Sequence, residues 1–99
     1  MSITQHWIDG AEATEAGSRL ADVTNPATGR VTGQVALATT DLVNTAVASS
    51  VKAFQTWGTT SLAKRTSIMF KFRELLNERK PELAAIITAE HGKVLDDAL

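Results

Sequence analysis

An α+β fold, with N-terminal strands and a hairpin followed by three helices, is predicted by three features of the sequence. Apolar and polar residues alternate from Arg30 to Leu37, the period changes to that of a helix from Thr40 onward, and the strongest turn signals, Asp9-Gly10 and Asn25-Pro26-Ala27-Thr28-Gly29, stand in the first third. Strands first and helices after them point to α+β packing rather than to alternating βα units.

The elements follow in order. His6-Trp7-Ile8 is a short aromatic and β-branched run, closed by Asp9-Gly10, a dipeptide suited to the positive φ angles of a tight hairpin. Residues 11–19 carry no large apolar side chain and read as an exposed connection. Leu20-Ala21-Asp22-Val23-Thr24 precedes the second turn. There Pro26 pre-sets φ, Asn25 accepts a hydrogen bond from the turn backbone, and Gly29 takes the left-handed conformation. In the next strand Val31, Gly33, Val35 and Leu37 alternate with Arg30, Thr32, Gln34 and Ala36, so the first set is expected on the buried face.

The first helix begins at a cap on Thr39 or Thr40, with Asp41 in its first turn, and stops at Gly58. Val43, Val47, Val51, Phe54 and Trp57 share one face, joined by Leu42, Ala46 and Ala53, which is expected to be its core side. A second helix runs from a Ser61 cap to about Arg79, with Leu62, Arg65, Ile68, Met69, Phe72, Leu75 and Leu76 inward; Glu74 and Glu78 form a mildly unfavourable like-charge pair on its solvated side. Pro81 suits the first turn of a third helix, whose core side is Leu83, Ile86 and Ile87 and which Gly92 ends. Val94, Leu95, Ala98 and Leu99 look like one more helical stripe, and the chain ends inside it, which suggests truncation.

Composition bounds the function. Ninety-nine residues, 43% hydrophobic and 21% charged, suit one small domain or part of a larger one. Residues 1–39 are expected to supply strands and turns and 40–99 a helical layer. The net charge is −1 with basic residues scattered among acids, which argues against a nucleic-acid or anionic-membrane surface. No run reaches the roughly 18 apolar residues of a membrane span and no signal-peptide pattern opens the chain, so the cytoplasm is the expected location. The absence of cysteine removes disulfides, thiolate metal sites and cysteine nucleophiles from these residues.

Candidate chemical groups are few. His6 and His91 lack metal-ligand spacing, although Glu90 and Asp96 stand near His91; a surface histidine at a helix end is the plainer reading. Gly92-Lys93 follows a helix instead of opening one, the reverse of a phosphate-cradling order. Trp57 continues the stripe of the first helix and is expected in the core, whereas Trp7 suits packing on a partner subunit or another domain. Phe70 lies off the stripe of Met69 and Phe72, which implies a second covered face. Glu90, Asp96 and Asp97 show no cleft in which their pKa values would diverge. No catalytic, cofactor-binding or metal residue is assigned.

Several longer words occur in a fixed order: His6-Trp7-Ile8-Asp9-Gly10, Val23-Thr24-Asn25-Pro26-Ala27-Thr28-Gly29, Ala46-Val47 with Ala53-Phe54 and Trp57, then Arg65, Glu82-Leu83-Ala84 and Glu90-His91-Gly92-Lys93. Together they resemble the N-terminal region of the NAD(P)-dependent aldehyde dehydrogenase superfamily across the whole chain. Ala48-Ser49 and the run from Ile87 to Ala98, with Val94 where many members carry proline, are most similar to the methylmalonate-semialdehyde subgroup.

The resemblance implies an α/β parent fold with a nucleotide-binding domain, NAD as its cofactor, and a homo-oligomer. It also implies an acylating mechanism: a cysteine thiolate attacks the aldehyde, hydride leaves for the nicotinamide, and coenzyme A resolves the thioester. The family's cysteine, oxyanion-stabilising asparagine, general base and nucleotide-contacting lysine belong to motifs absent here, and none is carried onto Asn25, Glu90 or Lys93. The carbonyl of Val23 lies nearest a structural cation position of some relatives and is not assigned to it. These residues alone are thus expected to be inactive, bind no cofactor and have the remainder of a dehydrogenase chain as partner. A second reading is a self-sufficient interaction module built on a helical hairpin.

Overall fold

The computed structural model describes residues 1–99. They form two compact units, one of Met1–Thr24 with Val31–Thr59 and the other of Asn25–Arg30 with Thr60–Leu99.

The first unit holds strands β1 (Ser2–Thr4), β2 (His6–Ile8), β3 (Ala11–Ala13), β4 (Leu20–Thr24) and β5 (Val31–Ala36), then helix α1 (Thr40–Trp57). The expected hairpin is present: Asp9 and Gly10 hold φ of 54° and 78°, and Ile8 pairs with Ala11. Residues 11–13, read from sequence as connection, pair as β3. Two alanines around Glu12 carry no periodic apolar signal; the tight turn sets their register.

A second sheet has the order β1-β5-β4, with β5 parallel to β1 and antiparallel to β4. Ser2 stands opposite Gly33, and a Cβ on Gly33 would lie 3.2 Å from the Ser2 carbonyl oxygen. Val23 pairs with Gly33 and Thr24 with Val31, so Thr32 is the extra residue of a bulge, and its hydroxyl donates to the Val23 carbonyl at 3.2 Å. The period-two reading located this strand, and on the side expected inside Gly33 is buried and Val35 and Leu37 are half-buried. Ala36 is 2% exposed while Val31, on the side expected inside, is 41% exposed.

Thr39 caps α1. Its hydroxyl accepts from the Leu42 amide at 3.1 Å and donates to the Glu15 carboxylate at 2.5 Å, tying the loop before β4 to the helix start. Gly58 ends the helix as expected, but with φ of −62° it does so without a left-handed residue. Space is what requires glycine there: a Cβ would meet the Phe54 carbonyl oxygen at 2.8 Å and the Phe54 ring at 2.9 Å.

The inward side of α1 is one edge of the expected face. Leu42 is buried, and Ala46 and Ser49 are half-buried, whereas Val43, Val47, Val51 and Phe54 are exposed. At 3.6 residues per turn the two groups are centred roughly 130° apart. Helical spacing found the larger apolar stripe, and the smaller side is the one that packs.

The second unit comprises the turn Asn25–Arg30 and helices α2 (Leu62–Glu78), α3 (Lys80–His91) and α4 (Leu95–Ala98). In the turn the Asn25 carbonyl accepts from the amides of Thr28 and Gly29, the Asn25 side chain accepts from the Ala27 amide at 2.9 Å, and Gly29 has φ of 69°. These are the roles its sequence implies.

The Ser61 hydroxyl caps α2 by accepting from the Lys64 amide at 3.2 Å. No residue of α2 is buried, and Leu62, first of its expected inner stripe, is 73% exposed. Glu74 lies 3.4 Å from the Lys71 ammonium, which offsets its proximity to Glu78. Arg79 alone separates α2 from α3, with φ −103° and ψ 13°. In α3 the expected core residues Leu83, Ile86 and Ile87 stand exposed, while Ala84 is 1% exposed and Thr88 half-buried. Again the small-residue side faces in. Gly92 closes α3 in the left-handed conformation, and its amide donates to the Thr88 carbonyl at 2.9 Å.

Candidate functional site

A groove in the first unit begins with strand β2. Its residues His6, Trp7 and Ile8 face Ala38, Leu42, Val43, Ala46 and Val47 across a groove of about 320 Å³. The Asp9-Gly10 turn holds the strand there, and the Thr39 cap fixes the start of the opposing helix. The walls carry neither a carboxylate nor a nucleophile. Their one titratable side chain is His6, whose Nε2 is shielded from solvent and has no hydrogen-bond partner. Trp7 remains 71% exposed. Such a lining can take up apolar surface but cannot move a proton between two tuned groups.

A groove of about 360 Å³ in the second unit is formed by Phe72, Leu75, Leu76, Leu83 and Ile86 with Arg79 and Glu82 at its polar edge. The Arg79 guanidinium donates to both Glu82 oxygens, at 2.9 and 2.8 Å. These hydrogen bonds, and then the opposite charges, hold the Glu82 carboxyl below its ordinary range and raise the guanidinium's pKa. Both groups are solvated, so the pair orients the start of α3 and adds little stability.

The sequence candidates do not converge. His91 is the last residue of α3 and Asp96 and Asp97 lie in the single turn of α4; no group of three His, Asp or Glu residues is arranged to hold a metal. The amide of Gly92 is engaged by Thr88, so Gly92-Lys93 offers no phosphate cradle. Trp57, expected in the core, is 41% exposed, and Met69, Phe70 and Phe72 are exposed on both sides of α2. The Val23 carbonyl already accepts from Thr32.

Sequence reading missed the shielded Nε of Arg65 and hydroxyl of Thr88, both without a partner. No spacing rule marks a polar atom that becomes enclosed only through helix packing. No helix is long and apolar enough to cross a membrane.

Residues 12–99 match the family model described as "Aldehyde dehydrogenase family". The chain is 37% identical over 97 residues to malonate-semialdehyde dehydrogenase 1 of Geobacillus kaustophilus, covering 98% of this chain and 20% of that protein. Among solved structures it is similar to the methylmalonate-semialdehyde dehydrogenase of Oceanimonas doudoroffii, with a TM-score of 0.94 and 41% identity over 99% of this chain and 20% of that one. It is also similar to an NAD-dependent aldehyde dehydrogenase of Sinorhizobium meliloti, with a TM-score of 0.88 and 36% identity over 98% of this chain and 20% of that one. The chain therefore spans about a fifth of the length of the relatives it matches.

Proposed function

The chain belongs to the aldehyde dehydrogenase family, and from that premise we propose that it is the structural N-terminal segment of an acylating dehydrogenase. The proposed parent oxidises methylmalonate or malonate semialdehyde with NAD and passes the acyl group to coenzyme A. Residues 1–99 act there as one part of a larger nucleotide-binding domain, in a cytoplasmic homo-oligomer. The observation that supports this reading is the match over nearly the whole chain to relatives of which it makes up a fifth.

The residues present have a scaffolding role. They contain no cysteine for thiohemiacetal formation, and no glycine-rich turn leads from a strand into a helix N-terminus to receive a pyrophosphate. No step of hydride transfer is assigned to them. The alternative, a self-sufficient helical hairpin, is disfavoured by the junction between α2 and α3. One residue, Arg79, is shorter than the roughly two to five residues that let antiparallel helices fold back.

The test is an assay of the full-length protein. Reduction of NAD with the semialdehyde should require coenzyme A and yield the acyl-CoA, while residues 1–99 alone should give none. Aldehyde oxidation without any coenzyme A dependence would remove the acylating subgroup and leave the family.

A further inference from the structure

The outer side of α1 has a composition that solvent does not explain. Its eighteen residues include two charged ones, Asp41 and Lys52, against six in the seventeen of α2. The buried side is Leu42, Ala46 and Ser49, yet Val47 is 56% and Phe54 68% exposed on the other apolar side. A helix apolar on two sides and nearly free of charge is built to be covered on both. Val43 and Val47 also line the β2 groove, so the exposed indole of Trp7 continues the same apolar surface.

Resting on the family reading above, we infer that this surface, Val43, Val47, Val51 and Phe54 with Trp7 beside it, seats the part of the same dehydrogenase polypeptide that lies beyond residue 99. A second copy of the segment is the less suitable occupant. Relatives are about five times as long as this chain, so a covalently attached apolar partner is always at hand and needs no association between molecules. The surface also carries no charged residue of the kind that would set the register between two copies.

Single cysteines at Val47→Cys, Phe54→Cys and, on the polar side of α1, Lys52→Cys in the full-length protein test this by maleimide labelling, read at each position by peptide mass spectrometry. Positions 47 and 54 should label on the order of 100-fold more slowly than position 52 in the native protein, at every protein concentration, and equally fast in urea. Rapid native labelling at 47 and 54 would overturn the inference. So would protection that disappears when the oligomer is diluted to monomers, because a second subunit would then be the cover. Both positions are scored, so one variant that fails to fold leaves the other to decide. A full-length protein that lacks dehydrogenase activity but shows the protection would reject the proposed function without touching this surface.

Discussion

The Cγ of Pro26 stands 3.2 Å from the point where a Cβ on Gly92 would begin. Gly92 is therefore fixed twice, by its φ of 83° at the end of α3 and by the proline ring of the turn Asn25–Arg30. Gly92→Ala should cost about 1–2 kcal/mol from the left-handed backbone alone, with a further loss from the ring contact. Thermal unfolding followed by circular dichroism measures the sum. Adding Pro26→Ala should recover part of the loss if the ring contributes, and none of it if backbone strain is the whole effect.

Gly58 offers a test of sign. Its right-handed φ of −62° is one in which alanine is ordinarily the better residue, so propensity predicts that Gly58→Ala stabilises. The Phe54 carbonyl at 2.8 Å from the added carbon predicts the opposite. We expect destabilisation of about 1–3 kcal/mol, read as a lowered melting temperature. A raised melting temperature would show that the end of α1 relaxes around the methyl group.

Thr39 acts as donor and acceptor at once. Thr39→Ala should lower stability by about 0.5–2 kcal/mol through loss of the cap. Thr39→Ser should keep the cap and the bond to Glu15. Faster hydrogen exchange at the amide of Leu42 in the alanine variant alone is the expected signature.

The Arg79–Glu82 pair predicts a small acid-side effect. The folded-state carboxyl is held below its ordinary pKa, so its contribution is complete above the unfolded value and is lost as pH falls through the depressed one. Glu82→Gln should leave helix content near pH 7 almost unchanged and flatten the decline on acidification. An equal decline in both proteins would show that other carboxylates govern acid unfolding.

Element boundaries were legible in the sequence wherever a side chain makes them. Thr39, Ser61, Pro81 and Gly92 mark helix ends through hydrogen bonds or backbone preferences that act within a few residues. Asp9-Gly10 and Asn25-Pro26 are local in the same way. Sidedness was legible only in part. A stripe such as Val43, Val47 and Val51 states that one side of α1 is apolar, whereas which side packs depends on what lies opposite, and the small side of Leu42 and Ala46 permits closer approach. Pairing of β1 with β5 joins residues about thirty apart, as in Ser2 with Gly33, and no local rule specifies it.

The hairpin made by β4 and β5 has its strands in the first unit and its tip, Asn25–Arg30, in the second. The polypeptide consequently passes between the units three times, after Thr24, after Arg30 and after Thr59. Cutting it once at Thr59 would not release a self-contained first half. It would strip Pro26 of Gly92 and leave a β-hairpin whose end had been shaped for a helix no longer attached. Dissection of this protein into smaller pieces has no clean seam at that position, and a protease that nicks there should yield fragments that stay associated until denatured.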